Sequence, residues 1–534
     1  MRGTGRRDPP TALPEHPRSA GPTRVTRCVR PPGPRLLRPA AGRSRSARSR
    51  PLSDAVAIRM TEGAHSCADH GPQEHTVADP IEPQAVPRSR AASADDPAQT
   101  RADTVKGRRG GVFALAFANI VDGFEGGLIN TLFPVIRDAL SLQTSALGVL
   151  VAISRFARMV LGPVWASLAD RYGRKRILFI ATGLWGLWTV AAGFAQNATQ
   201  LFVLYTIGVL GTVASEPIAN GLVVDMFDSA ERGRAFGILR TTMMAASLIG
   251  TPILGQLADV ENGWRYGLFA LGGISVVSGV VVLLFVPEVR RVLPASTPGG
   301  GTTRFNIGDA VSLLRNRTIL FMAVQVSLTT SLVLFAFFVT FWVDARGWGV
   351  ADAAILMAVY MLGNVLSSFL GGLLGDRFAR RFGHRGRIIL MQGYLIGYAV
   401  STVLLFQVDW GTGPAVYLAV FVTGLIASIG PPGAMLLIIG SVVPPSVVAT
   451  AYALIMGFVQ GGVAALFSLV FGFLGDVIGL QYLMFWLVSV PYAVNAVLWS
   501  VMYRIYPGDA AAQEMRDRQP RPAVPGPTTP DRGE

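Results

Sequence analysis

The stretch "ASLADRYGRKR" (166–176) places one carboxylate and four cations between two apolar runs, 145–169 and 176–195. A variant, "GGLLGDRFARRFGHRGR" (371–387), follows another apolar run at 352–374, and Asp170-Arg171 and Asp376-Arg377 stand 206 residues apart. Runs of about 20 residues cross a bilayer core of about 30 Å at 1.5 Å per residue. Twelve such runs are expected near 112–135, 145–169, 176–195, 200–224, 235–257, 265–287, 318–343, 352–374, 387–407, 413–440, 448–475 and 480–504. The chain of 534 residues is 51% hydrophobic and 15% charged, against about 25% charged for a soluble domain. The expected fold class is an all-α polytopic membrane protein. Because the polar motif recurs after spans 2 and 8, twelve transmembrane helices divide into two six-helix bundles related by internal repeats, a mark of transporter folds.

The halves are expected at 106–290 and 317–506, joined by a polar Gly/Pro/Thr-rich loop at 291–316 and flanked by disordered tails at 1–105 and 507–534. Loops 2–3, 4–5, 6–7 and 8–9 hold sixteen Lys and Arg, against three (Arg137, Arg265, Arg346) in the opposite loops. That asymmetry puts both termini in the cytoplasm and the protein in the cell membrane. The net charge of +14 is misleading, since residues 1–59 alone carry fourteen Arg against Asp8, Glu15 and Asp54. This Arg- and Ser-rich segment has no apolar stretch of a secretory signal and resembles a transit peptide only in bulk composition. A second reading takes Met60 as the true start. The basic tail lacks aromatics and a fold to present them, so nucleic acid is not an expected partner. Cys28 and Cys67 are the only cysteines, so no disulfide framework exists. His65, Cys67, His70 and His75 cluster in the tail, but with no core to fix ligand geometry no metal and no cofactor is expected.

The spans hide charges. Counted along the helices from the basic edge, Asp122 lies roughly 16 Å deep and Glu125 roughly 21 Å, while Arg158 and Arg155 lie roughly 18 and 22 Å deep in span 2. Each pair is spaced i, i+3 and shares a helix face. Matching depths predict Asp122–Arg158 and Glu125–Arg155 pairs. Glu216, in "VASEPIAN" of span 4, lies roughly 14 Å deep. Three carboxylates against two guanidiniums leave one carboxylate in excess, able to load and release a proton. The second half offers only amides in its span interiors: Gln325, Asn364, Gln392, Gln460 and Asn495. A bare charge at the bilayer centre costs at least ~2.5–3.5 kcal/mol, so these groups should face an internal cavity and pair. The bland alternative is static ion pairs that only fix helix packing. No His lies in any span, so a proton carrier must be Asp or Glu. Gly123, Gly126 and Gly127 permit close approach or local loosening of span 1, and Pro431-Pro432 in "GPPG" (430–433) suggests a gate hinge.

The motif at 166–176 resembles that of the major facilitator superfamily of transporters through Asp170, Arg171, Gly173, Arg174 and Lys175, with Ala166 where the family has Gly. The second-half copy matches through Gly372, Asp376 and Arg377, then departs. "DMFDSAERGRAFGI" (225–238), with Asp225 and Arg232, is similar to the family's loop 4–5, and "GWRYGLFALGG" (263–273) to its sixth helix. "YTIGVLG" (205–211) lacks the Arg many members carry, and "GTPILGQ" (250–256) keeps only Pro252 and Gly255 of an antiporter mark. The resemblance covers roughly 105–505. It implies that Asp170 meets the N-terminal end of helix 11, at "PPSVVAT" (444–450), and that Arg174 pairs with Asp225, latching the cytoplasmic side. Positive-inside topology is the plainer role for the same charges.

The expected function is secondary active transport of a small organic solute, coupled to protons, by a monomer that alternates access between its bundles. Three alternatives stay open: a proton-antiport drug or metabolite exporter, an organic-anion transporter using Arg155 or Arg158, and a transport-dead sensor. Direction is left open, and enzymatic function is not expected.

Overall fold

The computed structural model describes residues 107–227, 229–288, 313–329, 331–444 and 447–518. Residues 1–106, with the tail and its His/Cys cluster, lie outside the described residues, as do 289–312 of the central loop and 519–534. Among the described residues there is no strand, and twelve helices are long and apolar enough to cross a membrane. They are α1 (Arg108–Leu140), α2 (Thr144–Tyr172), α3 (Arg174–Gly193), α4 (Ala198–Met226), α5 (Glu231–Asp259), α6 (Gly263–Phe285), α7 (Arg317–Arg346), α8 (Val350–Phe382), α9 (His384–Gln407), α10 (Pro414–Val442), α11 (Thr450–Ile478) and α12 (Leu480–Arg516). Outward-facing side chains such as Leu284 and Val477 are apolar and exposed, as a helix bathed in hydrocarbon requires.

Helix α12 corrects one boundary. The expected tail from 507 is helical as far as Arg518, because the extension has something to pack on. Tyr506 and Ala510 are fully buried, and Gln513 nearly so. Asp509 accepts bonds from the backbone N–H and the hydroxyl of Thr318, at 3.1 and 2.7 Å. It thereby shares, with the N-cap side chain of Asn316, an amide in the first turn of α7, which has no partner within the helix.

Small residues set the helix contacts. Gly183 of α3 faces Gly279 of α6, and Gly424 of α10 lies against the Tyr360 carbonyl of α8. Helix α1 packs on α5 and α6, and α8 on α10. The two bundles meet where α2 packs on α11 and α5 on α8. Loop 2–3 marks what we call the basic end of the molecule, and the opposite end is the far end. At the far end a Cβ on Gly148 would collide with the Ser468 carbonyl, and one on Gly255 with the Ala354 methyl, at 2.5 Å. Arg137 of α1 pairs with Asp344 of α7 at 2.6 Å.

A second device at the far end comes from a repeat not recognised in the sequence. Helix α2 ends in "LADRYG" (168–173) and its antiparallel partner α11 in "LGDVIG" (474–479). In both, the closing glycine has positive φ, 101° at Gly173 and 82° at Gly479, and its N–H returns to the carbonyl four residues back. In both, an aspartate stands three residues before that glycine. Asp476 of α11 accepts from the first amides of α2, Thr144 N at 2.7 Å and Ser145 N at 3.0 Å. A carboxylate is thus set on the positive end of the facing helix. The bonds from Arg137 to Asp344 and from the first amides of α2 to Asp476 join the two bundles at the far end.

Candidate solute and coupling site

Four helices of the first bundle bring charge to mid-height. Helix α1 runs unbroken through Asp122 and Glu125, with Gly123 pressed against Ala246 of α5. Gly123 serves close packing there, a Cβ at Gly126 would meet open space and one at Gly127 only the Leu254 side chain at 3.8 Å, and no local loosening of the helix is seen. Helix α4 breaks briefly at Val213–Ala214, and Glu216 sits in the first turn after the break. Glu216 is shared by two guanidiniums. Arg158 Nη1 donates to Oε2 at 2.9 Å and Arg240 Nη1 to Oε1 at 3.3 Å. The three side chains are 53% (Arg158), 40% (Glu216) and 68% (Arg240) exposed, so they line open space and are not sealed in packing.

This arrangement corrects the pairing expected from depth. Arg158 bonds Glu216, while Asp122 lies beside Ser215 within the field of Arg158 and Glu216. No ion pair joins Glu125 to Arg155 among the described residues. Glu125 lies beside Thr189 and Asp122, with a buried Oε1 that has no hydrogen-bond partner. Arg155 lies near Tyr205 and Arg158. The charge count changes as well. Arg240 lies inside the span drawn at 235–257, and counting from Glu231 puts it roughly 14 Å deep, level with Glu216. Three carboxylates therefore face three guanidiniums, with none in excess.

Three spaces adjoin at Met243. One of about 100 Å³ lies inside the first bundle and reaches Glu125, Ser154, Thr189 and Tyr205. One of about 210 Å³ lies between the bundles, walled by Asp122 and Arg158 on one side and by Phe335, Val339, Met357 and Met361 on the other. One of about 420 Å³ is bordered by Asn119, Glu216, Asn220 and Arg240. A single water needs about 10–15 Å³ on this measure, so the first holds several waters and the others a small solute. The wall supplied by the second bundle is wholly apolar. Three of its amides bond elsewhere, Asn364 to Ser428, Gln392 to Ser500 and Asn495 to the Gln325 backbone carbonyl, while the Gln325 side-chain amide is buried with no hydrogen-bond partner among the described residues.

The loop residues form a separate cluster. Arg174 donates to Asp170 at 2.8 Å and to Asp225 at 2.9 Å. Arg232 caps α4 through the carbonyls of Phe227 and Val224. Arg171 lies over the Tyr172 ring, and Lys175 borders the same surface recess as Asp170 and Arg174. The expected meeting of Asp170 with the start of helix 11, at 444–450, involves Pro445 and Ser446, which lie outside the described residues. Asp376 and Arg377 are exposed, and a Cβ at Gly372 would meet open space. Pro431 and Pro432 open a wide π-type turn, Pro431–Met435, where Gly433 packs on the Gly371 carbonyl of α8.

Sequence reasoning missed Arg240 and Asp476. The depth count that located Glu216 also reaches Arg240, and the repeated Leu-x-Asp-x-x-Gly marks Asp476.

Comparison with known proteins gives a consistent likeness. The family model described as Major Facilitator Superfamily matches residues 115–462 and 341–529. A probable sulfoacetate transporter, SauU, of Cupriavidus necator is 24% identical over 292 residues, 52% of this chain and 66% of the relative. A probable galactarate/D-glucarate transporter, GudP, of Escherichia coli is 26% identical over 275 residues, 46% of this chain and 61% of the relative. The chain thus spans less than two thirds of the length of these curated relatives. Among solved structures, an inward-facing, occupied bacterial homolog of the human lysosomal transporter Spinster aligns with TM-score 0.64 at 17% identity, covering 76% of this chain and 99% of that one. A D-xylose-proton symporter aligns with TM-score 0.59 at 15% identity, covering 74% and 98%. At these identities the structural likeness speaks for the fold.

Proposed function

The chain belongs to the major facilitator superfamily, and from that premise we propose that it is a secondary active transporter that carries a small organic anion together with a proton. The observation that carries this reading is the Glu216 carboxylate held between Arg158 and Arg240 in open space beside the inter-bundle cavity. Guanidinium groups present several donors in a fork that fits carboxylate and sulfonate groups. The names of both curated relatives point the same way, since sulfoacetate and galactarate/D-glucarate are acids, as is hexuronate, named for a transporter of Bacillus subtilis that is 20% identical over 299 residues. Arg240 removes the excess negative charge on which a cation-exporter reading stood.

The charge balance supports a coupling scheme. With all six groups ionised the site is neutral. Each negative charge of a bound solute is uncompensated at mid-membrane depth, which is costly. A proton on Asp122 or Glu125 restores neutrality for a monoanion such as a hexuronate, and a proton on each does so for a dianion such as sulfoacetate or D-glucarate, so solute and protons load together. Asp122 borders both the inter-bundle cavity and the inner space that reaches Glu125, which gives the proton a route separate from the solute's.

Alternating access follows by rocking of the two bundles about this site. The basic end faces the cytoplasm of a cell-membrane protein by the positive-inside asymmetry. The bonds at the far end, Arg137–Asp344 and Asp476 to the start of α2, then hold the outer side shut. Asp170, Arg174 and Asp225 form the corresponding cluster on the inner side.

The test is flux in proteoliposomes with labelled sulfoacetate, D-glucarate, D-glucuronate and a panel of organic cations, with and without an inward-acid pH gradient. Gradient-driven accumulation of an acid is expected. Accumulation of cations alone would sink the anion reading, and binding without flux of any solute would favour a sensor.

A further inference from the structure

Arg240 and Arg158 touch the same carboxylate but face different spaces. Arg158 borders the inner and inter-bundle spaces. Arg240 borders the third space of about 420 Å³ together with Asn119 of α1 and Asn220 of α4, with Phe236 as an apolar wall. Arg240 gives one donor to Glu216 at 3.3 Å, the longer of the two contacts. A guanidinium has five N–H donors, so others remain for a ligand. Neither the Asn119 nor the Asn220 amide makes a side-chain hydrogen bond among the described residues, so each keeps two donors. Three helices thus converge a cation and two unused amides on one opening, nearer the basic end than Arg158.

We propose that Arg240, Asn119 and Asn220 form a vestibule site that holds the carboxylate or sulfonate group of the solute before or after it occupies Arg158. This rests on the reading of the solute as an organic anion. Arg158 and Arg240 against the one Glu216 carboxylate leave a single positive charge beside the vestibule, which favours an anionic group. An anion on Arg240 loosens the weaker of the two Glu216 contacts and leaves Glu216 on Arg158. Passage to Arg158 then requires Glu216 to exchange that contact. Glu216 is the shared counter-ion that is handed between the two arginines as the anion advances. The spaces meet at Asn119, Glu216 and Met243, which border both the vestibule and the inner cavity.

The experiment compares the full chain with R240Q, R240K, N220L and R158Q in proteoliposomes, using whichever of labelled sulfoacetate, D-glucarate or D-glucuronate the unaltered protein accumulates. In R240Q, Glu216 keeps Arg158 as a partner, so insertion is expected to survive. R240Q should raise KM about ten-fold or more, as loss of one charge-assisted contact implies. R240K keeps the charge without the fork and should recover part of the loss. N220L, which fills the opening while leaving both arginines in place, should also raise KM. R158Q should abolish accumulation. KM values within two-fold of the unaltered protein in both R240Q and N220L, with R158Q inactive, would overturn the vestibule and leave the anion reading standing. Should R240Q fail to reach the membrane, R240K and N220L decide in the same way. Failure of the unaltered protein to bind or move any of the three acids overturns the anion reading itself, and the vestibule with it.

Discussion

Replacing Asp476 by alanine tests whether the far end is held shut by the reciprocal ends of α2 and α11. Its carboxylate takes two bonds, at 2.7 and 3.0 Å, from the first amides of α2. These amides have no partner within their own helix. Loss of an N-capping side chain costs about 0.5–2 kcal/mol. Two bonds to a charged acceptor and the helix dipole place Asp476 toward the upper end of that range. In the state with the far end open, α2 and α11 separate there and water takes over the same amides, so the loss falls mainly on the closed state. A shift of about 1–2 kcal/mol changes the closed-to-open ratio roughly 5- to 30-fold at 1.4 kcal/mol per decade. Asparagine keeps one accepting oxygen but loses the charge and the second bond, so D476N should move the ratio by an amount between the unaltered protein and D476A. Cys28 and Cys67 are the only native cysteines and can be changed to serine. A cysteine at Ser247, which borders the inter-bundle cavity, then reports access to a membrane-impermeant thiol reagent from each side. Access from the far side should rise in D476A. An unchanged ratio in D476A, at normal insertion, would show that the capping bonds do not hold this end.

Further outcomes follow from the site. E216Q should fold, lose gradient-driven accumulation and keep counterflow, which needs no net proton movement; equal loss of both would remove Glu216 from coupling. Because no ion pair joins Glu125 to Arg155, E125Q combined with R155Q should show no rescue, with a coupling energy within about 0.5 kcal/mol in thermal unfolding. A rescue of stability and flux by the double change would show that the two do pair. Arg174 and Asp225 are 15% and 12% exposed, and D225N leaves the guanidinium with Asp170 as its remaining carboxylate. A loss of about 1.5–3 kcal/mol is expected, the worth of a hydrogen bond to a charged group, read as a lower melting temperature in detergent, and an unchanged value would assign the pair to topology alone.

The sequence by itself was enough for the fold class. Bilayer thickness sets helix length, so twelve apolar runs read directly as twelve helices, and the Asp-Arg motif after the second and eighth divides them. The membrane also made the buried charges conspicuous, since only function or pairing keeps Asp122, Glu125, Arg155, Arg158 and Glu216 at such depth. Tertiary structure alone decided which of them meet. Counting residues gives depth along a helix axis, one coordinate of three. It placed Asp122 and Glu216 near the level of Arg158 as possible partners and could not say which helix turns its face toward α2. The packing of α4 and α5 brings Glu216 between Arg158 and Arg240 and leaves Asp122 beside Ser215. Asp509 on the Thr318 amide and Asp476 on the start of α2 are likewise bonds between segments 191 and 332 residues apart. Local periodicity carries no record of contacts over such distances, because they exist only once the helices have been packed side by side.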